Sequence, residues 1–308
     1  MDLELTADQK LFVDTTRRYL EDRSPISNVR RLHDVGVGFD AAYWSGGAEL
    51  GWTSLLVPEP LGGGSISRHG LLDLVLVAEE MGRHTAPGPL LSTNVVAEAL
   101  ARAHHGDRYS NVISRLLSGA ETAALAFQDG HDLWDQTGVW MEARRATDGW
   151  VVNGTKSFVL DAQTADWFLL TARTDGGITQ FLVPKDRAGV EIAARTSLDL
   201  VRQVGDVTFA GVQLTPDDVV GAVDCAAGQF AHQLLTAVVL QNAETVGAID
   251  RVLDMTLDYA RDRIAFGRPI ASYQALKHRF ANMKMWLEAC HATAHASAVA
   301  VATDAPEA

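Results

Sequence analysis

The chain has 308 residues, 47% hydrophobic and 21% charged, as expected of a soluble globular protein with room for more than one core. Its 26 basic and 39 acidic residues give a formal charge of −13, which argues against a broad nucleic-acid surface. No apolar run approaches the roughly 20 residues of a membrane span, no secretory signal precedes the first helical pattern, and the two cysteines suit a reducing compartment. A cytoplasmic protein without a disulfide is expected.

Residues from about 6 to 120 read as helical. Thr6 and Gln9 have capping-box spacing ahead of an apolar run that extends toward Arg23 and stops by Pro25. A polar helix is predicted over Ile26–Asp34. Gly36, Gly38 and Ala41 have the spacing of a dinucleotide turn, but the residues before them, Val29-Arg-Arg-Leu-His-Asp34, are no apolar strand, so that reading is set aside. Tyr43 to Leu50 predicts a short helix. Pro58, Pro60 and Gly62-Gly63-Gly64 then make an irregular loop that lacks the Lys-Ser/Thr pair of a phosphate-binding loop. Leu71–Met81 predicts an apolar helix with Gly82 as its terminator, and Ser92–Ala103 and Ser110–Leu117 predict two more.

From Thr122 to Val223 the pattern is strand-like. Strands are predicted at Ala123–Phe127, Val139–Ala143, Trp150–Val152, Lys156–Leu160, Trp167–Thr171, Gln180–Pro184, Val190–Ala193 and Val207–Phe209, with tight turns at Asp148-Gly149 and Asn153-Gly154. Short strands at this spacing suit a barrel-like or sandwich domain. From Gly228 the chain is helical again, with buried stripes expected at Ile249, Leu253 and Leu257 and at Leu276, Phe280, Met283 and Leu287. The expected fold is α+β: an N-terminal helical domain over 1–120, a middle β-barrel-like domain over 121–225 and an apparently short C-terminal helical bundle over 226–308, ending in a frayed Thr-Asp-Ala-Pro-Glu-Ala.

The stretch from Arg261 to Met283 joins two helical patterns through a turn in which Gly267 and Pro269 break the first helix. Arg261, Arg263, Phe266 and Gln274 supply guanidinium, aromatic face and amide, a set that suits an anionic, planar-ringed ligand such as a dinucleotide; the plain alternative is a helical hairpin with surface arginines. His291 and His295 have i, i+4 spacing that would bind zinc if a carboxylate joined them. Without an H-E-x-x-H motif they read as an ordinary helix face. His104-His105 and His131, near Asp129 and Asp132, likewise carry no signature, and no metal is expected.

The ordered string Arg263-x-x-Phe266-Gly-Arg-Pro-Ile270, followed by Gln274 and Met283, resembles the flavin-contacting turn of the acyl-CoA dehydrogenase family. Pro58-Glu-Pro-Leu-Gly-Gly63, Glu79-Glu-Met-Gly-Arg83 and the passage from Asp148 to Arg173 are similar to family passages at matching places, so the resemblance runs through most of the chain, in the manner of an actinobacterial-type short subunit. It implies FAD as cofactor, with Arg263, Phe266 and Gln274 reaching the adenine-pyrophosphate end of a flavin held by a neighbouring subunit, and hence a homo- or hetero-oligomer, dimer or tetramer. It also implies that the β-domain covers one flavin face. At the family's Thr-Glu-Pro loop this chain has Phe127 and Gln128, and the family's Lys-x-Trp-Ile-Thr passage is Lys156-Ser-Phe158-Val-Leu160, in which Phe158 can cover the ring and Leu160 has no hydroxyl to offer it.

The resemblance further implies α,β-dehydrogenation of an acyl-CoA thioester, with electrons passed to an electron-transfer flavoprotein. The reaction needs a base for the α-proton. The family's commoner glutamate position lies in a segment beyond Ala308, and its other position falls near Ala237. Glu244, two turns further along the same helix, shares a face with Ala237, Gln241, Ala248 and Arg251 and is the candidate base, its pKa raised by desolvation. A satisfied carboxylate paired with arginine is the bland alternative. Three functional alternatives stay open: a non-catalytic partner subunit that completes an FAD pocket in a hetero-oligomer, another flavin chemistry such as a monooxygenase, and a binding protein on the same scaffold.

Overall fold

The computed structural model describes residues 5–103, 106–130 and 133–303. Helix α1 (Ala7–Arg23) begins at the expected capping box: the Gln9 N–H donates to Thr6 Oγ1 over 3.2 Å while the Thr6 N–H donates to Gln9 Oε1 over 3.0 Å. The same glutamine donates through Nε2 to Asp73 Oδ1 over 2.9 Å, so the cap also ties α1 to a later helix. After α2 (Ile26–Asp34) and α3 (Ala41–Glu49) come α4 (Gly70–His84), α5 (Leu90–Arg102) and α6 (Ser110–Leu117).

Two four-stranded sheets follow. One has the order β1-β4-β5-β8, made of β1 (Ala123–Ala126), β4 (Trp167–Thr174), β5 (Gly177–Pro184) and β8 (Val219–Val220), with β1 and β4 parallel. The other has the order β2-β3-β7-β6, made of β2 (Ala143–Ala146), β3 (Gly149–Leu160), β7 (Val204–Leu214) and β6 (Val190–Arg195), antiparallel throughout. Trp150, Val207 and Phe209 from the second sheet pack with Phe168 and Phe181 from the first in one buried core. The chain then returns to helix in α7 (Ala227–Asp262), turns through the two-residue strands β9 (Ile264–Ala265) and β10 (Arg268–Pro269), and ends in α8 (Gln274–Ala302).

The first and last helical segments share a core. Trp44, Trp52, Leu74, Val75 and Val95 pack with Val239, Leu240 and Ala243 of α7 and with Ala298 and Val301 of α8. The α+β order of helices, β-domain and helices is as expected. No helix among the described residues is long and apolar enough to cross a membrane.

Local expectations fail where a tertiary contact outweighs a local signal. Gly82 does not end α4, which runs to His84 and turns at a left-handed Thr85. Gly82 is instead a place where α7 passes in close contact, since a Cβ there would collide with the Glu244 carbonyl. Asn153-Gly154 is no turn. It lies inside β3 at a register shift opposite β7, and Asn153 Oδ1 accepts from the Gly211 N–H over 2.8 Å. The predicted strand at Val139–Ala143 starts only at Ala143, because the N–H groups of Trp140 and Met141 go to Asp129 Oδ2, at 2.5 and 2.9 Å, instead of to a ladder. On α7 Ile249 is exposed, and Val246 joins Leu253 in the buried row. On α8 Leu287 is buried and Met283 is not.

Candidate functional site

The Arg261–Met283 turn is a small hairpin in which Phe266 and Gly267 take the central places, both with positive φ, +52° and +78°. Left-handed geometry is strained for a bulky residue, by about 1–3 kcal/mol. Other bonds hold the hairpin. The Ile270 N–H donates to the Arg263 carbonyl over 2.9 Å, the Tyr273 hydroxyl donates to the Ala265 carbonyl over 2.9 Å, and the Arg268 guanidinium lies 4.2 Å from the centre of the Tyr273 ring. The frame presents Phe266 outward, 97% exposed, with Arg263 and Gln274 also exposed.

The β-domain rim gathers the other predicted cofactor residues. Phe127 is half-buried between the rings of Trp134 and Phe230, at 5.9 and 5.6 Å. The Gln128 carbonyl accepts from the Ser157 N–H over 2.8 Å, which fixes the loop against β3 beside Phe158. Phe158, at φ +54°, is half-exposed and has the Arg195 guanidinium 4.3 Å from its ring centre. Arg195 is itself held by Asp206, at 2.7 Å. Lys156, fully buried beneath the rim, donates to Asp129 Oδ1 at 2.6 Å and to the Phe127 carbonyl at 2.9 Å; burial pulls its ammonium down to about 8, against the opposing effect of Asp129.

The turn and the rim stand at opposite ends of α7. Phe127 packs on Phe230 near the start of that helix and Arg263 caps its end, a separation of about 50 Å at 1.5 Å per residue. The structure therefore brings Phe127, Gln128 and Phe158 together, and separately Arg263, Phe266 and Gln274.

Glu244 belongs to neither group. Its carboxylate accepts from the Arg202 guanidinium, which arrives on the segment between β6 and β7. Close by, Asp161, at φ +59° after β3, is buried and accepts from Ser92 Oγ of α5 over 2.5 Å. Burial raises the Glu244 carboxyl above the usual range, Arg202 opposes it and Asp161 adds to it; Asp161 is likewise pushed up by burial and pulled back by Arg202 and by Ser92. Sequence reading missed Arg202, Asp161 and Ser92, which come from three segments without any shared spacing. The His291–His295 pair does meet a carboxylate, Glu79 of α4. His104, His105, His131 and Asp132 lie outside the described residues.

Comparison with known proteins matches the three domain models of one family in chain order: the acyl-CoA dehydrogenase N-terminal domain over residues 6–119, the middle domain over 128–211 and the C-terminal domain over 232–308. The acyl-CoA dehydrogenase IpdE2 of Mycobacterium tuberculosis is 30% identical over 281 residues, 88% of this chain and 72% of that relative. The chain belongs to the acyl-CoA dehydrogenase family. Its relatives include a solved structure of the ChsE4-ChsE5 complex from Mycobacterium tuberculosis, 26% identical, with a TM-score of 0.87 over 99% of this chain and 80% of that one. The fold is also that of PigA, solved with FAD and proline, at 22% identity and a TM-score of 0.87 over 97% of this chain and 80% of that one.

Members of the acyl-CoA dehydrogenase family are FAD-dependent oxidoreductases, and the residues present fit that cofactor unevenly. The exposed guanidinium, phenyl face and amide of the turn match a pyrophosphate and an adenine. The rim offers aromatic surface and backbone groups, while Leu160 packs its side chain against the helical core and offers no donor.

Proposed function

We propose that this chain is one subunit of an acyl-CoA dehydrogenase assembly in which FAD sites are completed between subunits, and that it lends Arg263, Phe266 and Gln274 to a neighbour's cofactor. The observation that carries this is the separation of turn and rim by the length of α7. A turn this exposed and this far from its own rim serves a partner's flavin or none. The ChsE4-ChsE5 relative, solved as a complex of two proteins, supports a mixed assembly as readily as a homo-oligomer.

The chemistry of the assembly is α,β-dehydrogenation of an acyl-CoA thioester, with electrons passed on to an electron-transfer flavoprotein. When bound, FAD accepts the hydride, which no side chain can do. This chain's own part is binding and orientation. Arg263 meets the pyrophosphate with its forked donors, Phe266 covers the adenine, and Gln274, at the start of α8, donates beside them. The exposed free cysteines Cys225 and Cys290 support a reducing compartment such as the cytoplasm.

One observation favours a second reading, in which this chain also supplies the base: burial raises the Glu244 carboxyl, as a base near neutral pH requires. The ion pair with Arg202 weighs against it, since a base must be free to take a proton.

Size-exclusion chromatography with absorbance at flavin wavelengths tests the main reading. The chain alone and the chain co-expressed with a homologue are compared, and flavin is expected only in a multi-subunit peak. A monomer that keeps stoichiometric flavin overturns it. Anaerobic acyl-CoA addition to Glu244→Gln assemblies decides the second reading: flavin that still bleaches at the parent rate removes Glu244 from the chemistry.

A further inference from the structure

Three side chains where α4 meets α8 take no part in the flavin reading. Glu79 stands on α4, and His291 and His295 stand one turn apart on α8. Nδ1 of His291 and Nε2 of His295 approach the same oxygen, Glu79 Oε1, at 3.1 and 3.2 Å, and the three candidate ligand atoms lie within 4.8 Å of one another. The side chains are 13%, 25% and 14% exposed in the order Glu79, His291, His295, so the cluster is largely shielded and opens on the His291 side.

An ordinary hydrogen-bonded pair with Glu79 Oε1 accounts for His291 but not for His295. His295 Nε2 is buried and has no well-formed hydrogen bond, although it stands 3.2 Å from Glu79 Oε1. A buried ring nitrogen left this way costs free energy. An ion held between the three atoms removes the cost, since coordination needs the three lone pairs to converge and does not need the nitrogens to point at the oxygen. The two nitrogen-to-oxygen distances, 3.1 and 3.2 Å, are close to the roughly 3.3–3.4 Å that separates ligands about 2.0–2.1 Å from a tetrahedral ion, and the two nitrogens lie within 4.8 Å of each other. The i, i+4 spacing puts both rings on one face of α8. Glu79 is fixed from behind, because its carbonyl lies where a Cβ on Gly247 of α7 would fall.

We propose that Glu79, His291 and His295 form a three-ligand site for a borderline transition-metal dication, Zn²⁺ foremost, with the fourth position open to water. Two imidazoles and one carboxylate select such an ion over Mg²⁺ or Ca²⁺, which take all-oxygen sets. Binding requires both imidazoles neutral at the coordinating nitrogens, so any proton held there leaves to solvent as the ion enters. The ion staples α4 to α8 and thus the N-terminal helices to the last one.

The test uses the full chain, stripped with chelator and exchanged into metal-free buffer. Zn²⁺ is titrated in competition with a chromophoric indicator, Co²⁺ loading is followed by visible absorption, and thermal midpoints are taken with and without Zn²⁺. About one tight equivalent per chain, a midpoint raised by Zn²⁺ and intense Co²⁺ bands of tetrahedral type are expected. His291→Gln and Glu79→Gln are each expected to weaken Zn²⁺ binding by about tenfold or more and to abolish the midpoint rise, while His278→Gln, exposed elsewhere on α8, changes neither. Should Glu79→Gln fail to fold by circular dichroism, the part-exposed His291→Gln still decides. Affinity unchanged by His291→Gln, or no saturable Zn²⁺ binding to the parent, overturns the proposal.

Discussion

Gly82 of α4 and Gly247 of α7 let their two helices touch backbone to backbone. A Cβ on Gly82 would strike the Glu244 carbonyl oxygen, and one on Gly247 would strike that of Glu79. The crossing is made of two Glu-x-x-Gly segments, Glu79–Gly82 and Glu244–Gly247, each glycine seated on the other segment's glutamate. It therefore fixes the origins of two acidic side chains, one directed to His291 and His295 and the other to Arg202. Arg83 bonds Asp250 and Asp254 of α7 and locks the rotation of the pair.

Gly82→Ala and Gly247→Ala should each destabilise the chain by about 1–3 kcal/mol or more, because backbone atoms at the contact cannot move aside as a flexible side chain would. Gly228→Ala, in the open first turn of α7, is the control: nothing lies within 4 Å of the added methyl, and stability should hold or rise by about 0.4–1 kcal/mol. Urea midpoints of the three variants measure this. Equal midpoints for Gly82→Ala and Gly228→Ala would show that the helices do not meet there.

The same crossing shows what was legible in the sequence. Helix ends set by local chemistry, such as the Thr6–Gln9 box and the stop before Pro25, are visible because cause and effect lie within a few residues. The Arg263–Gln274 turn is visible because its residues are consecutive. Gly82 was misread as a terminator because a glycine needed for α-left geometry and one needed for close approach look alike in one dimension. Arg202, Asp161 and Ser92 surround Glu244 from separations of 42 residues or more, which no spacing rule spans. The His291–His295 pair was readable, but the carboxylate that changes its meaning is 212 residues away.

Arg202→Met should cost more stability than the double change Arg202→Met/Glu244→Gln. Alone, it leaves a mostly buried carboxylate whose burial already favours the neutral form. A coupling of about 0.5–3 kcal/mol is expected from the double-mutant cycle. The sign with pH follows. A carboxyl raised above its ordinary 4.5 contributes stability below that value and loses it as pH rises through the folded value. Without Arg202 the folded value rises further, so the deficit of Arg202→Met should grow from acid toward neutral pH. Additive effects at both pH values would show that the pair is not coupled.

Lys156 presents the opposite sign. Its folded value, about 8, lies below the ordinary 10.5, so holding it charged inside the protein costs stability at and below pH 8, and that cost is relieved as pH rises toward 10.5. Parent stability relative to Lys156→Met should therefore improve across that interval. At neutral pH Lys156→Met should still destabilise by about 3–5 kcal/mol, because Asp129 is left buried without its counter-charge. Lys156→Met/Asp129→Asn should recover part of the loss, since the asparagine can still accept from the Trp140 or Met141 N–H. Chemical denaturation of the three forms at several pH values provides the readout.

Phe266 offers a substitution in which stability and cofactor binding should move apart. Its left-handed backbone favours glycine, and its ring, 97% exposed, gives the chain little packing in return. Phe266→Gly should leave the thermal midpoint of the isolated chain unchanged or slightly higher. In the assembly the same change removes the face that covers the adenine, so flavin retained after desalting should fall. Arg263→Ala should weaken FAD by about 1.5–3 kcal/mol, the worth of a charge-assisted hydrogen bond, and Arg263→Lys should fall between, since it keeps the charge and loses the fork. A residue kept only for the fold would show the reverse pattern, with a lower midpoint and unaltered flavin. Unchanged flavin content in all three variants would mean that the turn serves no cofactor, and the α7 separation would then describe a surface loop.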